Sequence, residues 1–230
     1  MELNLLSITD WQAIWLTLKL ATVVTVILLF ISIPLAWWLS RDKTLLKNIV
    51  SSLTALPLVL PPTVIGFYFL LAMGSNGILG EGFKWLGWGT LAFSFWGLVV
   101  ASAFYSLPFV VQPIKTAFES VGDRPIEVAA IAGAKPLDIF ITVVLPLARP
   151  GIISGAILGF VHTIGEFGVV LMIGGSIPNE TKVVSVQIYE HVEALNYTSA
   201  HTLSLMMITF SFCILVWLQS LQKKSRIELF

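Results

Sequence analysis

Five stretches of this chain, roughly 13–39, 49–73, 91–111, 147–173 and 201–221, are almost wholly apolar. Each is long enough to cross a ~30 Å hydrocarbon core, which takes about 20 helical residues. Lipid gives an exposed backbone no hydrogen-bond partner, so a chain patterned this way must satisfy its amides within helices. Charged residues are only 11% of the chain and the mean hydropathy is +0.91, against about 25% charged in soluble domains. The expected fold class is all-α integral membrane, with five transmembrane helices in a single domain over 1–230.

The formal net charge of zero conceals an asymmetry. Arg41, Lys43 and Lys47 follow the first span. Lys115, Arg124, Lys135 and Arg149 lie between the third and fourth, and Lys223, Lys224 and Arg226 follow the fifth. The other side has only Lys84 and Lys182, with Glu2, Asp10, Glu81, Glu180, Glu190 and Glu193. Basic loops stay cytoplasmic, so the N-terminus is expected outside, and the C-terminus and the long loop 113–147 inside. A cleaved signal peptide fits the first span poorly, because its flank is acidic and no small-x-small site follows before Arg41. Lys19, near the outer end of that span, is expected to snorkel to the interface as an anchor.

Several chemistries are excluded. Cys213 is the sole cysteine, and His162, His191 and His201 are scattered, so neither a disulfide framework nor a metal cluster is expected. No Gly-x-x-x-x-Gly-Lys-Ser/Thr run occurs, so the chain cannot cradle a nucleotide and any ATP hydrolysis must belong to another chain. No cofactor and no nucleic-acid partner are expected. The outer segments 74–90 and 174–200 are long enough for small docking surfaces; Gly74, Gly77, Gly80 and Gly82 in the first imply tight turns, and Trp85 and Trp88 suit the headgroup belt.

Two spans carry features that lipid would not tolerate without compensation. The second contains Pro57, Pro61 and Pro62 before Gly66. These prolines either start a helix near the cytoplasmic interface or break one along a central path. The fourth carries Gly165, Glu166, Phe167 and Gly168, with His162 four residues before the carboxylate on one helical face, where it can donate to or pair with Glu166. A carboxylate in a span costs about 2.5–3.5 kcal/mol on insertion scales, so it faces the bundle interior or water. A packing hydrogen bond and a gating role both remain open for it. Upstream, Gly151, Gly155 and Gly159 recur every fourth residue, the spacing by which membrane helices approach closely, within the subunit or against a second copy.

The loop 113–147 is the most specific motif. It reads Glu127-Val128-Ala129, three residues, Gly133-Ala134, then Val143-Val144-Leu145-Pro146. Pro125 suits the start of a short helix, Glu127 the anion-favouring first turn, and Gly133 a sharp turn at the end. This resembles the Glu-Ala-Ala loop that membrane subunits of ABC importers present to a cytoplasmic ATPase. Val128 and Val143 depart from that pattern by apolar swaps. Together with Leu56 to Pro62 and Gly66, and with Gly165 to Gly168 followed by Ile177-Pro178, the chain resembles the molybdate/tungstate permease subunit of type I ABC importers from about Trp11 to the fifth span. The Gly-Glu-Phe-Gly and Ile-Pro pieces are shared with sulfate/thiosulfate permeases, and His162 stands where relatives often carry Arg.

The resemblance implies a multi-pass protein of the bacterial inner membrane, a homodimer bound to two copies of a cytoplasmic ABC ATPase, and an extracytoplasmic oxyanion-binding protein that delivers cargo. It implies ATPase coupling through Glu127, Val128, Ala129, Gly133, Ala134, Leu145 and Pro146. It also implies a pathway or gate at Pro61, Pro62, Gly66, His162, Gly165, Glu166, Phe167 and Gly168, with Thr63, Ser102, Ser106 and Thr163 as weaker polar contacts. A secondary transporter would need repeated halves and more intramembrane charge. An intramembrane enzyme would need a nucleophile and base or a metal set, and no such set is visible.

Overall fold

The computed structural model describes residues 6–41, 44–85, 87 and 90–227, with side chains as far as 220. Glu2, Lys43, Trp88 and the side chains of Lys223, Lys224 and Arg226 lie outside the described residues. Within them the chain is helical, and five helices are long and apolar enough to span a membrane.

α1 (Ile8–Ser40) starts on a capping box: the Asp10 amide donates to Ser7 Oγ and the Ser7 amide to the Asp10 carboxylate. Leu16, Leu20, Val24 and Leu28 form its inner stripe and are buried. That stripe packs on α5 (Phe95–Val121), capped by Ser94 and running about seven turns, a longer third span than 91–111. α8 (Leu145–Gly165) closes a three-helix core against both. The last span, α11 (Tyr197–Ile227), is longer than 201–221 and lies mainly against α10 (Val184–Glu193) and α8.

The second span departs from its expected bounds of 49–73. α2 (Leu45–Ala55) runs into one 3-10 turn at Leu56–Leu58, the chain is non-helical at 59–61, and α3 (Pro62–Met73) starts afresh. The reason is local: Pro61 and Pro62 bring no amide, and a residue before proline is pushed out of the helical region. Both readings of these prolines are met in part: the helix is interrupted at 59–61, and Pro62 takes the first turn of α3. The apolar span resumes as Pro62–Trp85 through α4 (Ile78–Trp85), so 74–90 is partly helical and not a plain loop. Likewise α10 occupies much of 174–200.

The fourth span is also corrected. Helix begins at α7 (Pro136–Ile139), passes through one π turn at Phe140–Val144 into α8, and ends at Gly165, not 173. A separate short helix, α9 (Gly168–Gly174), follows. The loop 113–147 is therefore mostly helical, with α6 (Arg124–Ile131) at its centre.

Candidate functional site

The two helix breaks meet. A Cβ added at Gly168 would lie 3.0 Å from Pro62 Cβ, and one at Gly66 would lie 2.7 Å from Met172 Cβ, so α3 and α9 touch where side chains leave no room. Pro62 and Gly66 are thus brought against Gly168 and Met172, from breaks far apart in the sequence, while the Phe167 ring lies 5.3 Å from that of Tyr189. At the second break Glu166 has φ −70° and ψ 132°, and the helix resumes only after Phe167. Gly165 faces open space, with nothing within 4 Å of an added Cβ.

Glu166 is 4% exposed, and neither carboxylate oxygen has a hydrogen-bond partner among the described residues. The Ser102 hydroxyl, buried on α5, likewise has no hydrogen-bond partner among the described residues. A buried polar group without a hydrogen-bond partner costs stability. The Glu166 backbone is anchored instead: its carbonyl accepts from Ser185 Oγ at 2.6 Å.

The expected pairing of His162 with Glu166 does not form. α8 ends between them, so Glu166 no longer projects along the face that carries His162. His162 Nδ1 shares a 2.9 Å hydrogen bond with Ser106 Oγ, and its ring stacks on Phe109 at 3.8 Å between centroids. Ser106 also bonds Thr163 Oγ1 at 3.0 Å, completing a polar bridge between α5 and α8 one turn below the carboxylate. Lys19 is exposed, and its ammonium lies 4.5 Å over the ring of Phe95, the first residue of α5.

Gly151, Gly155 and Gly159 face α5 of the same chain. Added Cβ atoms would meet Ala117 Cβ at 2.2 Å, the Val110 carbonyl at 2.8 Å and Val110 Cγ2 at 2.4 Å.

The loop is built as a knob. α6 has Pro125 in its first turn, and Gly133 has φ +87°. The Gly133 amide donates to the Ala130 carbonyl and the Ala134 amide to the Ala129 carbonyl, a Schellman cap that needs a left-handed residue at Gly133. Ile126, Ala129 and Ala134 pack inward on the core, while Val128 and Ile131 are 67% and 87% exposed. Leu145 and Pro146 open α8 directly after the π turn, so the knob is joined to the helix that ends at Glu166.

Sequence reasoning missed the outer contacts. Thr17 Oγ1 accepts from the Val184 amide at 2.9 Å, and Asp10 Oδ1 lies 2.8 Å from both Gln187 Nε2 and His191 Nε2. The one sequence signal was Thr17, a hydroxyl in an otherwise aliphatic stripe.

Comparison with known proteins decides the family. The model of the binding-protein-dependent transport system inner membrane component family matches residues 32–227. The chain belongs to that family. It is 59% identical over 215 residues to a molybdenum transport system permease protein of Azotobacter vinelandii, covering 94% of this chain and 95% of that one. It is 38% identical to the corresponding protein of Escherichia coli K12 over 80% of both chains. A probable sulfate transport system permease protein of Zygnema circumcarinatum is 32% identical, over 91% of this chain and 71% of its own. The fold is that of a chain in a bacterial ABC transporter involved in alginate import, with a TM-score of 0.76 at 17% identity over 95% of this chain and 80% of that one. The chain is therefore a multi-pass inner-membrane transport component.

Proposed function

We propose that this chain is the membrane-spanning subunit of an ATP-driven importer of molybdate or tungstate, working as a homodimer on two cytoplasmic ABC ATPases and fed by an extracytoplasmic oxyanion-binding protein. The 59% identity across nearly the whole of a molybdenum permease carries the reading; the sulfate relative, at 32%, supports a sulfate cargo less well. ATP is hydrolysed by the partner chain. Basic loops favour the arrangement with α6 in the cytoplasm and the α9–α10 turn outside.

In this mechanism ATP closes the ATPase pair around the knob formed by α6. Glu127, Val128, Ala129, Gly133 and Ala134 make the docking surface, and Leu145 and Pro146 pass the movement into α8. Alternating access follows as rigid-body movement of α8 relative to α3 and α9, which opens or shuts the meeting point of Pro62 and Gly168. The unpartnered Glu166 carboxylate gains or loses neighbours as that point moves. Hydroxyls of Thr63, Ser102, Ser106 and Thr163 offer the passing dianion weak contacts, and weak contacts let it leave.

Transporter reconstituted in vesicles with its ATPase and binding protein tests the reading. Labelled molybdate uptake should require ATP and be competed by tungstate well before sulfate; uptake competed by sulfate first would transfer the chain to sulfate import. In the same vesicles Glu166→Gln is expected to cut uptake by about tenfold, the scale of a typical coupling energy, while the dimer persists on size-exclusion. Normal uptake by that variant would remove Glu166 from the gate. Topology has its own check: in a Cys213→Ala background, an impermeant thiol reagent should label a cysteine at 190 and spare one at 124 in intact cells. The reverse pattern would invert the orientation.

A further inference from the structure

We infer that α1 is a coupling arm, which carries movement of the cytoplasmic knob to the Glu166 break through a latch at each of its ends. The inference rests on the importer reading and adds a second route beside α8.

At the cytoplasmic end, the Trp37 ring lies 5.3 Å between centroids from both Phe118, near the end of α5, and Phe140, in the π turn. Arg41 stacks 4.9 Å over the same indole and reaches Asp123, the residue before α6, at 2.9 Å. The last turn of α1 and the residue that follows it therefore hold both flanks of the knob. The Arg41–Asp123 pair is exposed and contributes little by itself, so the aromatic cluster is the firmer half of the latch.

At the outer end, α1 holds α10 twice. Thr17 Oγ1 accepts the Val184 amide at 2.9 Å, at a site 3% exposed. One turn or more further out, Asp10 Oδ1 takes Gln187 and His191, each at 2.8 Å. Ser185, on the same α10, then donates to the Glu166 carbonyl at 2.6 Å. The chain of contacts is continuous: knob, Trp37, α1, Thr17, α10, Ser185, Glu166. A helix of 33 residues spans about 50 Å at 1.5 Å per residue, and its buried stripe ties it to α5 along the way. Pro34 lies inside α1 near the cytoplasmic latch, so bending is the motion the arm transmits. Residues so placed are positioning residues; none of those in α1 and α10 is assigned to the cargo path.

Contiguity by itself does not demonstrate coupling, so the ratio of anion imported to ATP hydrolysed is the quantity to measure. In vesicles holding the whole transporter, Thr17→Val and Ser185→Ala should each lower that ratio about fivefold, with ATP hydrolysis nearly unchanged, and Thr17→Ser should restore it. Trp37→Leu should do the same, and its combination with Thr17→Val should lose no more than the worse single variant, because both interrupt one arm. A purely structural role lowers uptake and hydrolysis together and leaves the ratio fixed. Ser185→Ala removes one hydrogen bond at a half-buried site, so it remains decisive if Thr17→Val assembles poorly. An unchanged ratio in Ser185→Ala, or in assembled Thr17→Val, overturns the arm while wild-type uptake keeps the importer reading standing. Wild-type vesicles without ATP-driven uptake would sink both.

Discussion

Protein carrying Gly133→Trp is expected to insert and fold normally yet to import anion at about a tenth of the usual rate or less. Gly133 has φ +87° and closes the Schellman cap of α6. An L side chain there pays about 1–2 kcal/mol for the left-handed backbone. Nothing lies within 4 Å of an added Cβ, so the core takes no clash. The damage is confined to the knob: the turn reopens, and an indole projects from the surface where Val128 and Ile131 stand exposed. Asparagine tolerates the left-handed region, so Gly133→Asn should keep most of the transport. Co-purification with the ATPase, stimulated ATP hydrolysis and uptake separate the steps. Gly133→Trp protein that pulls down its ATPase and transports at the normal rate would show that α6 is not the docking element.

A second large effect is expected at the interface of α5 and α8, and there it concerns folding. Gly155→Leu must push against the Val110 carbonyl, 2.8 Å from the new Cβ, and a helix backbone cannot swing aside as a side chain can. Loss of monodisperse protein on size-exclusion is the expected result. Gly159→Ala is a milder test of the same contact. Its methyl meets Val110 Cγ2 at 2.4 Å, and overpacking of this kind costs about 1–3 kcal/mol. Val110→Ala removes the obstructing methyl, so the double variant should regain much of the melting temperature lost by Gly159→Ala. Equal melting of Gly159→Ala and wild type in detergent would mean that α8 does not rest on α5 through this face.

The two predictions draw on different kinds of legibility. The Gly133 turn was readable because its signal is local: a proline at the start, an acid in the first turn and a glycine at the end specify a short helix without any partner. The glycine triplet was readable as a close-packing face, but not as to what it packs on. Only the folded chain turns it toward Ala117 and Val110 rather than toward a second copy. The same limit explains the error at His162. Helical periodicity places residues four apart on one face only while the helix continues, and α8 stops at Gly165. His162 then follows α8 to Ser106 and Phe109, while Glu166 leaves with the break.

Span bounds failed in the same way. Hydropathy reports how apolar a window is, not whether its backbone is continuous, so it ran through Leu56 to Pro61 and through Glu166 to Phe167. Asp10, Thr17, Gln187 and His191 were unremarkable as separate letters, since 167 positions separate Thr17 from its partner Val184.

By itself, then, the sequence determined the solvent, the helical class, the five crossings and the knob at 113–147, because each depends on composition, length or neighbours within a few turns. The tertiary structure decided that the two proline- and glycine-rich breaks face each other, that the Glu166 carboxyl is buried with no hydrogen-bond partner among the described residues, and that α1 reaches α10. Those facts depend on contacts between residues distant in the chain. Side-chain periodicity carries no information about them, because it records which face of a helix is buried and not what covers it.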